Sequence, residues 1–466
     1  MNTSARTAAP RPEDEALGLT ANLMYGFQHV LTMYGGIIAV PLIVGQAAGL
    51  GGAEIGVLIA SCLFMGGLAT LLQTLGIPFF GCQLPLVQGV SFASVATIVA
   101  ILTSGGSLPA VFGAVMAAAL IGLLITPVFS RVIHFFPPLV TGSVITTIGL
   151  SLMPVAAHWS MGGNPKAAGF GSMANIGLAA VTLLIVLLLS KLGNATISRL
   201  SILLAMVLGT LIAWAVGMTD FSQATHGPAF ALPTLFHFGW PEFPPAAIIS
   251  MFIVILVVLV ETSADILAVG DIIDTRIDSR RLGDGLRADM ISSAVAPVFG
   301  SFTQSAFAQN VGLVAVTGVK SRYVVASSGL ILLTLGLLPV IGRFIAAVPT
   351  AVLGGAGLVL FGTVAASGIR TLARVSYENN MNLVIVATSI GFGMIPIAAP
   401  SFYAHFPAWV ATIFHSGISS TALMAITLNL MFNHLTAGNS DQQSVFAAGT
   451  GHAIGHGTGH GSAAPH

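Results

Sequence analysis

Three acids occupy places in the chain where an acid is costly. Glu261 follows the uninterrupted apolar run AAIISMFIVILVVLV, so it lies well inside a hydrophobic segment. Asp265 comes four residues later, and Asp289 lies in the next segment. An ionisable group at the centre of a membrane helix costs at least ~2.5–3.5 kcal/mol and is by default tied to function. A spacing of four puts Glu261 and Asp265 on one helical face, one turn apart. Two carboxylates there repel if both ionise, so at least one is expected to hold a proton. Such a carboxyl either carries a proton or donates a hydrogen bond to a bound molecule. The first helix, LMYGFQHVLTMYGG, supplies a counterpart in Gln28-His29, expected at the corresponding place of the first half. His29 can relay protons or bond across to the acids, or simply pack as a structural donor. Two cysteines, Cys62 and Cys82, sit in apolar segments and are read as small core residues.

The elements that must position these groups follow from composition. Of 466 residues, 55% are hydrophobic and 6% are charged, against about 25% charged in a soluble domain. A soluble fold of this make-up would leave too much apolar surface in water; a bilayer removes that problem. Equal basic and acidic totals, 15 of each, give no sign of a nucleic-acid partner. A spanning helix needs about 20 apolar residues. Runs near that length lie around 20–45, 54–76, 84–102, 108–130, 138–157, 172–191 and 201–218. They resume around 246–270, 286–301, 306–318, 323–341, 346–367, 381–398 and 408–432. The chain is thus expected to be an all-α polytopic membrane protein with fourteen transmembrane segments.

With a cytoplasmic N-terminus, all 15 basic residues except Lys166 and Arg343 fall on the inner side. That agrees with the rule that Lys and Arg in short loops stay inside, and it places both termini in the cytoplasm. Two halves of seven lie upside down relative to each other, the inverted-repeat plan of secondary transporters. The expected divisions are a tail over 1–17, a first repeat over 18–218, a linker over 219–245, a second repeat over 246–435, and a His/Gly-rich disordered tail over 436–466. That last stretch carries His452, His456, His460 and His466, and metal binding by it is not expected. The third segment, GCQLPLVQGVSFAS, and the tenth, SFTQSAFAQNVGLVAVTG, are short, polar and broken by Pro85, Gly89 or Gly312. Paired interrupted segments in matching positions point to a transport site.

The stretch Gln309-Asn310-Val311-Gly312-Leu313-Val314-Ala315-Val316-Thr317-Gly318, continuing VKSRY, fits a known pattern. It is Gln or Glu, Asn, any residue, Gly, four residues, then Thr and Arg, Lys or Gly. With ETSAD before it, Gln28-His29 in the first helix and Asp289 between, the chain resembles the nucleobase–ascorbate transporters, also called nucleobase–cation symporter-2. The resemblance covers roughly residues 18–435. It implies a core of segments 1–4 and 8–11, and a gate of segments 5–7 and 12–14 that forms a homodimer contact. Carried over, Glu261 holds the base and Gln309 bonds it through its amide. Asn310 orders the neighbouring network, while Asp289 and His29 join proton coupling and Asp265 supports Glu261. Ser91, Phe92 and Ala93 would offer backbone amides and an aromatic edge, with Gly312 beside them.

The implied activity is proton-coupled import of a purine nucleobase across the bacterial inner membrane, with H⁺ as coupling ion and no cofactor or metal. Gln309 in place of Glu, and Gly318 in place of Arg, resemble bacterial xanthine and uric acid carriers. Uracil, guanine or hypoxanthine remain alternatives, as does an anion exchanger of the same plan. No HExxH, GxSxG or paired Cys/His set is present, so an enzyme is not expected. Membrane lipid and the purine are the expected partners.

Overall fold

The structure, a computed structural model, describes residues 11–128, 137–219, 221–222, 228–378 and 380–435. The expected tail at 436–466 lies outside the described residues. In a bilayer every backbone N–H and C=O must be satisfied within the chain, and the apolar runs accordingly become helices. The first half holds α1 (Leu19–Ala47), α2 (Gly52–Leu75), α3 (Val95–Thr103), α4 (Leu108–Ile125), α5 (Pro138–Ser160), α6 (Met173–Leu192), α7 (Ala195–Arg199) and α8 (Ser201–Ala215). The second holds α9 (Pro245–Ile273), α10 (Ser279–Val295), α11 (Ala308–Thr317), α12 (Arg322–Gly336), α13 (Pro339–Ala346), α14 (Thr350–Leu372), α15 (Asn380–Ala398), α16 (Ala408–Phe414) and α17 (Gly417–Asn429). Each of the fourteen expected segments overlaps at least one of these helices. Among the described residues eight helices are long and apolar enough to cross a membrane, and α12 with α13, bent by 79°, can count as a ninth span. The segment of α10 is more polar, and those of α3 and α11 are too short to span alone.

Segments 3 and 10 are broken, as expected, and they meet. Strand β1 (Gln88–Val90) pairs antiparallel with β2 (Gln304–Ala306), Gly89 opposite Ser305. The pair has an internal symmetry in how it is anchored. Thr70 Oγ1 of α2 accepts from Gln88 N at 2.9 Å and donates to Gln88 O at 3.1 Å. Ser293 Oγ of α10 accepts from Gln304 N at 2.8 Å and donates to Gln304 O at 3.3 Å. A hydroxyl one segment earlier thus plays the same part in each half.

Helix packing repeats the same two-fold relation. The helix α2 packs on α12 as α10 packs on α4, and α1 packs on α12 as α9 packs on α4. Helices α5 and α14 pack on each other, joined by α6, α8, α15 and α17. The first set forms the core and the second the gate. Small residues let backbones close up, as is common between membrane helices. A Cβ at Gly149 of α5 would stand 2.2 Å from Ala365 N of α14, and one at Gly67 of α2 would stand 2.5 Å from Leu333 N of α12. Cys62 and Cys82 are buried free thiols.

The stretches read as an inter-repeat linker and an N-terminal tail are fastened down where the structure describes them. Between the repeats, Phe236 N donates to Val298 O at 2.8 Å and Glu242 N to Pro109 O at 3.0 Å. Before α1, residues 11–17 form a strap rather than a free tail. Glu13 is fully buried and pairs with Arg281 at 2.5 Å; Asp14 pairs with Arg322 at 2.7 Å. Ser321 Oγ donates to Glu15 O at 2.6 Å. Burial disfavours the charge on Asp14, but bonds and charge from Arg322 and then Arg11 outweigh it and hold the carboxyl below its ordinary 3.8.

Candidate functional site

The site forms where α1, α9 and the two broken segments come together. Glu261 is half-buried on α9 and makes no side-chain hydrogen bond among the described residues. Asp265, one turn on, is buried, and its Oδ2 has no partner among the described residues. Asp289 reaches in from α10; Thr262 Oγ1 donates to its Oδ2 at 2.6 Å, while Oδ1 is buried without a partner. Asp265 lies within electrostatic range of both Glu261 and Asp289. The three acids therefore form one cluster, drawn from two helices that the sequence leaves far apart in spacing.

Thr262 ties the cluster to the broken segment. Its hydroxyl, besides donating to Asp289, accepts from Ala306 N at 3.4 Å. A shift of β2 is thereby felt at Asp289. Thr262 stands between Glu261 and Asp265, and nothing in its type or spacing distinguishes it from any other helical threonine.

His29 is buried and fixed by Asn310. The Asn310 Nδ2 atom donates to His29 O at 2.9 Å and lies 3.1 Å from His29 Nδ1. The carbonyl requires a donor, so the amide orientation is set, Nδ1 is the acceptor, and the ring proton sits on Nε2. The expectation that His29 and Glu261 hold corresponding places needs correction. Counted from the start of each helix, His29 is ten residues beyond Leu19 and Glu261 sixteen beyond Pro245. They instead match in depth: Glu261 lies twelve residues before Ile273. Because the second repeat is inverted, equal depth falls at different repeat positions.

The tenth segment splits its own residues between two jobs. On α11 Asn310, Val311, Leu313 and Val314 are buried, whereas Ala308, Gln309, Gly312, Ala315 and Val316 are exposed. Gln309 thus points its amide away from the packed side, and a Cβ added at Gly312 would meet nothing within 4 Å. The N-terminus of α11 lacks a side-chain cap. Its first N–H groups, Ala308 and Gln309, find no acceptor among the described residues, which leaves the positive end of a half-helix open beside the acids.

Segment 3 is more self-contained. Ser91 N donates to Thr303 O at 2.8 Å and Ala93 N to Ser91 Oγ at 3.2 Å. Of the three amides expected to be on offer, these two are already used, so Phe92 is the group left to face the site. Its ring is half-buried and meets Phe361 of the gate edge-on at 6.1 Å.

Core and gate are latched on the far side from the N-terminus. Thr97 Oγ1 and Ser416 Oγ are 2.7 Å apart, Ser250 Oγ and Ser419 Oγ 3.3 Å, and Trp159 Nε1 donates to Gln46. Residues 36–45 of α1 are all buried there. Towards the N-terminal face Met24 and Phe27 of α1 and Ala264 and Asp271 of α9 are exposed.

Comparison with known proteins gives a consistent picture. The model of a permease family matches residues 20–402. A uric acid transporter, UacT, of Escherichia coli (strain K12) is 41% identical over 91% of this chain and 89% of its own length. A xanthine permease of Bacillus subtilis (strain 168) is 38% identical over 91% of this chain and 97% of its own. Among solved structures, the transmembrane domain of a cyanobacterium bicarbonate transporter, BicA, aligns with TM-score 0.58 at 16% identity, covering 86% of this chain and 97% of that one. The murine anion transporter Slc26a9 in its inward-facing state aligns with TM-score 0.63 at 14% identity, covering 90% and 69%. At such identities these two establish the inverted-repeat fold alone.

Proposed function

The chain belongs to the nucleobase–cation symporter permeases, and on that premise we propose that it imports a purine, xanthine or uric acid, with H⁺ across the bacterial inner membrane. One observation carries the reading: among the described residues a carboxyl on α9, and a primary amide and an uncapped N-terminus on α11, which packs on α9, have no hydrogen-bond partner. Glu261, Gln309 and the first N–H groups of α11 are those groups. A purine dione is flat and alternates N–H with C=O. A carboxylate accepts from N–H, an amide pairs with an adjacent donor and acceptor, and free backbone N–H groups take a carbonyl. Leaving one such group unpaired costs ~1–3 kcal/mol, which is how the site rejects the wrong base.

In this reading Phe92 lies against the ring, Gly312 keeps the face of α11 clear, and Ser91 and Ala93 hold the turn that presents Phe92. Asp265 and Asp289 take up the coupling proton. His29 and Asn310 lock α11 to α1, so that rearrangement of the acids moves both. No cofactor takes part, and a homodimer forms through the gate within the lipid. With the N-terminus in the cytoplasm, the latched far face fits an inward-facing state of an alternating-access cycle.

The test is uptake of labelled urate and xanthine by the purified protein in proteoliposomes under an inward proton gradient, with hypoxanthine, guanine and uracil as competitors. Accumulation that a protonophore abolishes, with xanthine and urate as the strongest competitors, is the expected result. Uptake of bicarbonate or sulfate with none of purine would reverse it.

A further inference from the structure

Arg281, Gly285 and Asp289 recur every fourth residue and form one stripe along α10. The stripe starts at the helix end that carries the N-terminal strap and ends at the acid cluster. At its middle a side chain is missing and another element fills the place. A Cβ at Gly285 would stand 2.7 Å from Ile266 Cδ1, 3.0 Å from Cys82 Cβ and 3.3 Å from Gln73 Nε2. Gln73 of α2 therefore lays its amide against the stripe between Arg281 and Asp289. It is fully buried, and neither Nε2 nor Oε1 has a partner among the described residues.

The same is true at both ends of the stripe. On the inner side Asp289 Oδ1 and Asp265 Oδ2 are buried and unpaired, and on the outer side so is Glu13 Oε2. Cys82 lies beside Gly285, and its carbonyl accepts from Arg281 Nε at 2.6 Å, which ties the middle of the stripe to its outer end. Buried polar atoms almost always have partners, and where protein supplies none, ordered water does. Unpaired atoms strung along one stripe call for a row of waters rather than one.

We propose that this stripe is a hydrated proton conduit from Asp265 and Asp289 to the N-terminal face, with Gln73 holding its waters midway and Glu13 and Arg281 closing its outer end. It rests on the proton-coupled reading above and assigns the path. The groups facing it are Gln73 from α2, Asp265 from α9, Arg281 and Asp289 from α10, Cys82 and Gln83 from the turn after α2, and Glu13 from the strap. A proton leaves a carboxyl for the first water, each water passes one on, and one is released at Glu13; no bond other than O–H forms or breaks. Gln73 gives both a donor and an acceptor, so a water chain can turn on it in either sense. Arg281 would repel a passing proton, but Glu13 at 2.5 Å, with Cys82 O at 2.6 Å and Gln83 O at 2.9 Å, holds and offsets its charge.

The experiment compares wild type, Gln73→Leu and Glu13→Gln in proteoliposomes carrying a pH-sensitive dye, with urate as the probe. Urate-driven proton flux should fall on the order of tenfold or more in Gln73→Leu. Exchange of labelled urate against internal urate, which needs no net proton transfer, should stay within about twofold of wild type. Equal loss of both, or of neither, overturns the conduit. Absence of urate-linked flux in wild type overturns the coupling reading itself, and the conduit with it. A structure near 2 Å resolution provides a second reading. Ordered water within hydrogen-bond distance of the Gln73 amide supports the proposal, and a dry, apolar contact there overturns it.

Discussion

Glu261 on α9 and Gln309 on α11 are strong hydrogen-bonding groups that are not fully buried and have no side-chain partner among the described residues. Glu261→Gln keeps the size but removes the acceptor pair and the charge. It is expected to abolish purine accumulation while leaving the protein folded, as judged by thermal unfolding in detergent. Near-normal uptake would falsify the assignment of Glu261 to the site. Gln309→Ala should weaken binding by about 1–3 kcal/mol for purines with a free amide edge, measured by competition. An equal loss for every ligand would mean a folding defect instead. The type of these residues was plain in the sequence, and so was the excess cost of an acid after a long apolar run. The hydroxyls that hold the surrounding frame were not, because Thr262, bonded to Asp289 and Ala306, and Ser293, bonded to Gln304, act through contacts that leave no pattern in the chain.

At the scale of elements, close helix crossings and the strap decide how the site is held. The backbone of α5 approaches α14 so closely that a Cβ at Gly149 would also stand 2.7 Å from Ala365 Cα. Gly149→Ala should therefore cost about 1–3 kcal/mol through overpacking, seen as a lowered unfolding temperature; unchanged stability would show that the two helices can part freely. The strap makes a different prediction. Its Asp14 carboxyl is held below the usual 3.8 in the folded protein, so its contribution is present above that value and is lost as pH falls through the folded one. Hydrogen exchange of residues 11–17 should stay slow at neutral pH and rise only well below pH 4, about where a free Asp titrates. Arg322→Ala should bring that release to neutral pH, and slow exchange in that variant would show the strap held by other means.

At the scale of the molecule, core and gate meet through polar contacts on the far side, among them Thr97 with Ser416 and Ser250 with Ser419. Thr97→Val with Ser419→Ala removes the hydroxyl contacts to Ser416 and to Ser250 and should shift the population outward. A cysteine at Leu42, only 2% exposed here, should then react with an impermeant thiol reagent from the far side several-fold faster, as a shift of about 1 kcal/mol implies. Labelling unchanged by the double substitution would mean that the latches do not set the balance. Cys62 and Cys82 are buried and give a low background.

Sequence alone determined the membrane class, the paired halves and the broken segments 3 and 10. These depend on local composition and on periodic cost, which any stretch of chain displays by itself. It also marked Glu261, Asp265 and Asp289 as anomalies, because an acid in an apolar run needs no partner to be conspicuous. Only the tertiary structure decided which groups meet. The antiparallel pairing of β1 with β2, the bond from Asn310 to His29, the burial of Glu13 under Arg281 and the place of Gln73 beside Gly285 each join residues far apart in the chain. An inverted repeat brings equal depths together from unequal positions, so His29 and Glu261 became neighbours in level without being equivalent in sequence.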